Sequence, residues 1–285
     1  MKQKYKKIIY NLFSKKLDKI ISLKDINYNE ECYLFGDGPS LKWFDLKNFS
    51  DLPSFACGKI LYHNDFNLLS MKYISLAEPF YFSPLFLMSH KKSGGNYFET
   101  KGKLILKKDN LIKDIEDRIS KIDNTKFFLH LSNSLFINNK KNFFFIFKKI
   151  PNFNLINELI ENNINPFAGS FHFAILIMIY LGFKKIYLVG FDYYLQKPIS
   201  GHWFEKGQGV EIRYEDKENE KFFNVIKKYV SLVTITHNNS SKYTKSIEYS
   251  DYCGIKPNFR ENFDICSNKS LDTLSNSGWH SYRIY

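Results

Sequence analysis

Residues 170–190 read SFHFAILIMIYLGFKKIYLVG. Ser170 to Leu181 is apolar on almost every face and opens at Ala168-Gly169-Ser170, which predicts a buried helix. Gly182 fits its C-terminal cap. Lys184 and Lys185 then lead into Ile186-Tyr187-Leu188-Val189-Gly190, a strand with no polar alternation. A helix that is apolar all round, followed at once by a fully apolar strand, belongs inside an α/β sheet covered on both faces.

The same pattern extends outward in both directions. Residues 195–216 lose periodicity and collect Gly, Pro and charge, as a long mobile loop or lid would. Residues 217–229 carry helical spacing (Phe222, Phe223, Val225, Ile226, Tyr229), and 232–236 read as a strand ended by His237-Asn238-Asn239-Ser240. From about 241 the pattern is weak and predicts an irregular tail. Upstream, Cys32-Tyr33-Leu34-Phe35-Gly36 predicts a first strand. It runs into the turn Gly36-Asp37-Gly38-Pro39-Ser40-Leu41, with Pro39 near the start of a short helix. Residues 54–62, 72–77, 103–107 and 126–131 predict further strands. Residues 108–122 predict a helix, and Phe143 to Phe147 is apolar but too short to type. No repeat or low-complexity linker splits the chain. The expectation is one α/β domain over 26–285, preceded by a basic amphipathic helix over 1–25.

That helix places Ile8, Ile9, Leu12, Phe13, Leu17, Ile20 and Ile21 at three- and four-residue steps, with lysines between. It can lie on an anionic membrane or a partner, or pack on its own domain. The chain has 285 residues, 44% hydrophobic and 25% charged, which suits a globular core. Aromatic residues make up 18%, against disorder. No run of 18 apolar residues occurs, which argues against a spanning helix, and the lysine-broken N-terminus does not read as a signal peptide. The formal net charge is +12, so nucleic acid, a membrane surface and an acidic substrate are all partners to weigh, beside simple compositional bias. Cys32, Cys57, Cys253 and Cys266 form no CxxC pair and read as free thiols in a reducing cytosol.

The first turn lies where open α/β sheets bind ligands, at the carboxyl end of a strand. Gly36 and Gly38 would let backbone approach a nucleotide, and backbone N–H groups with the Ser40 hydroxyl can hold phosphate or ribose oxygens. The turn is neither GxGxxG nor a P-loop. Ser170, at a helix N-terminus, is a second anion contact or a simple cap. Gly190-Phe191-Asp192-Tyr193-Tyr194 ends the most buried strand and offers tyrosine hydroxyls to a leaving phosphate. Among seven histidines, His202 in Ser200-Gly201-His202-Trp203 lies in the loop after that strand and has the chemistry of a general base. His172, on the apolar helix, reads as a packed residue. There is no strict Asp-x-Asp metal clamp, no HExxH, no GxSxG and no nucleic-acid signature.

Taken in order, these pieces resemble the bacterial sialyltransferases of glycosyltransferase family 42. The likeness rests on strand–Gly-x-Gly-Pro-Ser-Leu, the Ser-headed apolar helix, Leu-Gly-Phe-Lys-Lys-Ile-Tyr-Leu-x-Gly-Phe-Asp-Tyr-Tyr and a loop histidine, over about residues 32–58 and 165–241. A related group of motility-accessory, flagellin-modifying proteins shares the same nucleotide-binding half. The resemblance implies a modified Rossmann-like domain of the GT-A variant type with a mostly parallel sheet. It implies metal-independent, inverting transfer of a nonulosonic acid from a CMP donor to a glycan or glycolipid hydroxyl, without a cofactor. Asp37, Gly38 and Ser40 would contact CMP, Ser170 the cytidine or phosphate, Tyr194 the leaving phosphate, and His202 would take the acceptor proton.

Asp37 stands where the family has Asn, Gly58 where it has a nucleotide-contacting Asn, and Ser200 where a second phosphate-contacting Tyr is usual, a part Tyr214 could fill. Other CMP-linked sugars, such as Kdo, legionaminate or pseudaminate, therefore fit the donor site. The implied setting is cytoplasmic, peripheral on the inner membrane face, with no nucleic-acid partner and with a homo-oligomer left open. The alternative is a nucleotide-binding accessory protein of surface-glycan or flagellin modification that performs no transfer.

Overall fold

The computed structural model describes residues 2–78, 81–82, 85–88, 103–106, 109–138, 140–213 and 217–275. The strands are β1 (Glu31–Phe35), β2 (Ser54–Cys57), β3 (Met71–Leu76), β4 (Leu85–Met88), β5 (Lys103–Leu106), β6 (Lys126–His130), β7 (Phe143–Ile146), β8 (Lys185–Val189), β9 (Ile199–Ser200), β10 (Val210–Glu211), β11 (Ser231–Thr236) and β12 (Lys245–Glu248). The helices are α1 (Lys2–Asp18), α2 (Asp109–Ser120), α3 (Leu155–Glu161), α4 (Ser170–Tyr180), α5 (Lys217–Ile226), α6 (Tyr249–Cys253), α7 (Asn262–Ile265) and α8 (Asn268–Ser275).

Eight strands form one sheet in the order β12-β11-β8-β1-β2-β3-β6-β7, and every neighbouring pair is parallel. This is a Rossmann-like α/β fold. The chain walks outward from β1 to β7, then returns through α3 and α4 to lay β8 on the other side of β1. Strand order therefore reverses between β1 and β8, and such a reversal opens a crevice at the carboxyl ends of the strands.

Side-chain alternation divides the core into two layers. Tyr33, Phe35, Phe127, Leu129, Tyr187 and Val189 pack with α2, α6 and the 3-10 turns holding Leu41, Phe44 and Phe49. Leu34, Phe55, Phe128, Ile186 and Leu188 face α3, α4 and α5. With both faces covered, the strands carry no polar side, which is why they read as continuous apolar runs.

Helix α4 is the buried spine. Every residue from Phe171 to Tyr180 is buried. Its isoleucines have modest helix propensity, and burial overrides that cost. The C-terminal carbonyls find partners in the segment after α1: Asp25, Asn27 and Asn29 donate N–H groups to Tyr180, Leu181 and Gly182 at 3.0, 2.8 and 3.1 Å. Gly182 has φ +98°, and a Cβ there would meet the Asp25 and Tyr28 backbone at 3.1 Å, so only glycine fits.

Six expectations are modified. The strand region at 54–62 ends at Cys57, because Gly58 (φ +38°) turns the chain into a 3-10 helix over Gly58–Tyr62. Phe143–Phe147 resolves as β7, the sheet edge. The N-terminal helix stops at Asp18 and tightens to a 3-10 turn over Lys19–Leu23, which buries both Ile20 and Leu23. From 241 to Ser275 the chain is structured: it adds β12 to the main sheet and then α6, α7 and α8. Within the loop expected at 195–216, Ile199–Ser200 and Val210–Glu211 form the small antiparallel pair β9–β10, and Trp203 is fully buried. The strand expected at 103–107 pairs with β4 outside the main sheet.

Candidate functional site

A cleft of about 320 Å³ opens at the carboxyl ends of β1 and β8, where the strand order reverses. Its walls include the turn 36–38 after β1, Cys57 and Lys59 at the end of β2, Gly169–His172 at the head of α4, Gly190, Phe191, Tyr193 and Tyr194 after β8, and Gly201–His202 in the following loop. Gly36, Asp37, Gly38, Ser170, Tyr194 and His202 therefore meet here, though they lie far apart in the chain. Ser40 and Gly58 are not among the lining residues.

The glycines of the first turn serve contact between two turns. The Gly36 N–H donates to Val189 O and the Gly38 N–H to Gly190 O, both at 2.8 Å. A Cβ on Gly36 would lie 2.4 Å from Gly190 O. The Ser40 hydroxyl and N–H both donate to Asp192 Oδ2, at 2.9 and 3.1 Å. These amides and this hydroxyl are thus committed to protein acceptors. That corrects the expectation that the Gly36, Gly38 and Ser40 donors are free to hold phosphate: the β1 and β8 turns must cross closely, and they bond to each other first. Asp192 is 2% exposed. Burial pushes its carboxyl up to about 6, against the lowering effect of the Ser40 bonds.

Asp37 projects into the cleft wall. Burial pushes its carboxyl up to about 6; Lys59 opposes this and Glu78 adds to it. Lys59 Nζ stands 3.7 Å from Asp37 Oδ2. Asp37 Oδ1 is buried without a hydrogen-bond partner, as is Trp203 Nε1, although the indole lies close enough to favour the charged carboxylate. The Trp203 backbone N–H donates to Asp37 O at 3.0 Å and ties the loop to the first turn.

Helix α4 points its N-terminus into the cleft. Its N-cap is Gly169 with no side-chain cap, and Ser170 is the first helical residue. Eleven residues of aligned peptide dipoles favour an anion at this end. Cys57, below it, donates to Ser170 O at 3.9 Å, and burial holds its thiol well above the usual range. A buried, neutral thiol of this kind is inert.

Tyr194 sits in the 3-10 turn Asp192–Tyr194, with its ring against Phe171 at 4.7 Å and Phe223 at 5.4 Å. Tyr193 lines the same wall, and its hydroxyl lies 3.3 Å from Ser200 Oγ. His202 Nδ1 lies 2.8 Å from Glu205 Oε1, and the imidazole stacks on Phe204 at 4.9 Å.

No protein-family model matches the chain, no curated protein matches it and no solved structure matches it.

Three contributors carried no sequence signal of their own. Among the described residues that line the cleft Lys59 is the only lysine or arginine, and Glu78 and Asn219 line it too. Lys59 became a site residue only when Gly58 ended β2 beside the β1 turn. Glu205, three residues after His202, is a further residue that the structure alone brings to the site. Three of the remaining histidines lie away from the cleft. His63 packs on Trp203, His130 bonds Ser132, and His237 stacks on Trp43. His172 is stacked on Phe222 at 3.7 Å with Nε2 3.1 Å from Asn219 Oδ1, a packed residue as expected although its side chain touches the cleft wall. His90, His280 and Tyr214 lie outside the described residues. Among the described residues, no group of three His, Cys, Asp or Glu side chains is close enough to hold a metal, and no helix is long and apolar enough to cross a membrane.

Proposed function

We propose that the protein is a metal-independent, inverting glycosyltransferase. It would move a nonulosonic acid, sialic acid or a relative, from its CMP donor to a hydroxyl of a cell-surface glycan or glycolipid. The observation that carries this reading is the convergence of a histidine, two tyrosines, one lysine and a helix N-terminus on one cleft at the strand-order reversal. In this scheme the donor phosphate lies against the N-terminus of α4 and Lys59, the two sources of positive potential in the lining. His202 takes the proton from the acceptor hydroxyl. The acceptor oxygen bonds the anomeric carbon as the carbon–oxygen bond to phosphate breaks on the opposite face, and the electron pair leaves on CMP. Tyr193 and Tyr194, which line the cleft, would donate to that phosphate. CMP carries one phosphate, so a pyrophosphate clamp has no part in the scheme. Work at the inner membrane face, on anionic glycolipid acceptors, agrees with the basic α1.

Calorimetry with CMP, followed by turnover of CMP-linked nonulosonates on lipooligosaccharide acceptors, tests the reading. Transfer should persist in EDTA. His202→Ala should keep CMP affinity and lower transfer about 10²–10⁴-fold, the usual contribution of a general base. Unchanged transfer in that variant removes His202 as the base. CMP binding with no turnover of any donor supports the accessory-protein reading instead.

A further inference from the structure

Behind His202 stands a carboxylate that the transfer scheme does not use. Glu205 Oε1 lies 2.8 Å from His202 Nδ1, and Glu205 Oε2 accepts the backbone N–H of the same histidine at 3.3 Å. The imidazole is also held flat on the Phe204 ring, 16° from parallel. One carboxylate thus grips the ring nitrogen and the backbone of the residue it serves, while the stack fixes ring rotation. A carboxylate at Nδ1 favours a proton on that nitrogen, which in the neutral ring leaves the lone pair on Nε2.

The support of Glu205 is itself built in. The Lys42 ammonium, on a fully buried side chain, donates to the backbone carbonyl of Glu205, to Gly207 O at 2.6 Å and to Glu261 Oε2 at 3.4 Å. Glu261 also accepts the Gly207 N–H at 3.2 Å and caps α7. Residues 202–207 are therefore bound at one end to the β1 turn through Trp203 and at the other to the C-terminal segment through Lys42 and Glu261. A surface hydrogen bond would need none of this. Burying a lysine to hold a short loop costs desolvation, and three acceptors offset that cost here.

We infer that Glu205 is a positioning residue for the same reaction: it holds His202 in the Nδ1–H tautomer, so that Nε2 takes the acceptor proton, and it stabilises the imidazolium that forms. The inference rests on His202 being the base. The proton balance is simple. The acceptor O–H proton moves to Nε2, the positive charge is shared with the Glu205 carboxylate, and the proton leaves to solvent after CMP departs. Among the described residues, the charges near the pair include Lys59, Asp37 and Glu78 in the cleft wall and Lys42 and Glu261 behind Glu205.

The test is nitrogen-15 NMR of the histidine side chains in the full-length protein, with His202→Ala assigning the signal, beside steady-state transfer. Wild type should show the Nδ1–H tautomer at His202. Glu205→Gln should mix the tautomers, lower the His202 pKa, and reduce kcat at least tenfold with CMP affinity unchanged within twofold. Glu205→Asp should restore part of both. Unaltered tautomer and pKa in Glu205→Gln overturn the pairing. A shifted tautomer with unaltered kcat overturns the positioning role. If wild type turns over no CMP-linked donor, the transferase reading and the role of Glu205 in it fall together, while the NMR result still decides the pairing. Thermal unfolding of each variant separates these results from loss of fold.

Discussion

A Cβ on Gly38 would sit 1.9 Å from Asp192 Oδ2 and 2.6 Å from Gly190 O. The two turns that make the floor of the cleft are that close, and glycine is what permits it. Gly38→Ala should therefore cost about 1–3 kcal/mol in urea unfolding, the usual range for overpacking, and should disturb Asp192 first. Asp192 in turn sets a pH dependence. Its carboxyl is raised from 3.8 to about 6 in the fold. A group raised in the native state favours that state while protonated, and the advantage is lost as pH rises through the folded value. Asp192→Asn keeps a neutral acceptor for Ser40. Compared by chemical unfolding, the variant should gain on wild type between about pH 4 and pH 7, by up to about 3 kcal/mol. A constant difference across that range would place the wild-type carboxyl near its ordinary value.

The loop between β8 and α5 is the element whose sequence and structure differ most in character. Its Gly, Pro and charged residues predict mobility, yet Trp203 is fully buried and Phe204 is 4% exposed. Two aromatic side chains between polar residues show no periodicity, so nothing local announces an anchor. Trp203→Ala should cost about 3–5 kcal/mol and should weaken transfer more than its own distance from the reaction suggests, because it removes the buried indole that anchors the His202 loop. Urea midpoints and kcat measured together check this. The short edge strands were hard to read for a related reason. Strand β12 is only partly buried along its length, so Lys245 to Glu248 shows no apolar run, and its place was decided by pairing with β11. Strand β7 showed an apolar run of four, the length at which strand and helix cannot be told apart by period.

At the scale of the whole molecule, the net charge of +12 does not gather in the cleft, whose lining holds one lysine against Asp37 and Glu78. Part of it lies on α1, which packs against the β7 edge of its own sheet. Lys19 donates to the carbonyls of Lys140, Lys141 and Phe143, and Leu17 and Ile20 are buried. Ile8 and Leu12 remain 45% and 73% exposed. An exposed apolar pair among lysines suits an anionic bilayer surface. Flotation with anionic vesicles should recover the protein in low salt, and Ile8→Asp with Leu12→Asp should reduce recovery several-fold. Equal recovery of both proteins would return the charge to composition.

By itself the sequence determined the α/β class, the helix–strand unit at 170–190, the glycine turn after β1 and the loop position of His202. These are local properties, written in apolar period and turn chemistry over a few residues. Only the tertiary structure decided what the turn's donors bind, that Lys59 and Asp37 face each other, and that residues 37, 170, 194 and 202 share one cleft. The reason is the strand order. Laying β8 beside β1 brings residues over 150 positions apart within hydrogen-bond reach, as Ser40 and Asp192 are at 2.9 Å with a separation of 152. No local pattern encodes which two turns will meet at a reversal of the sheet.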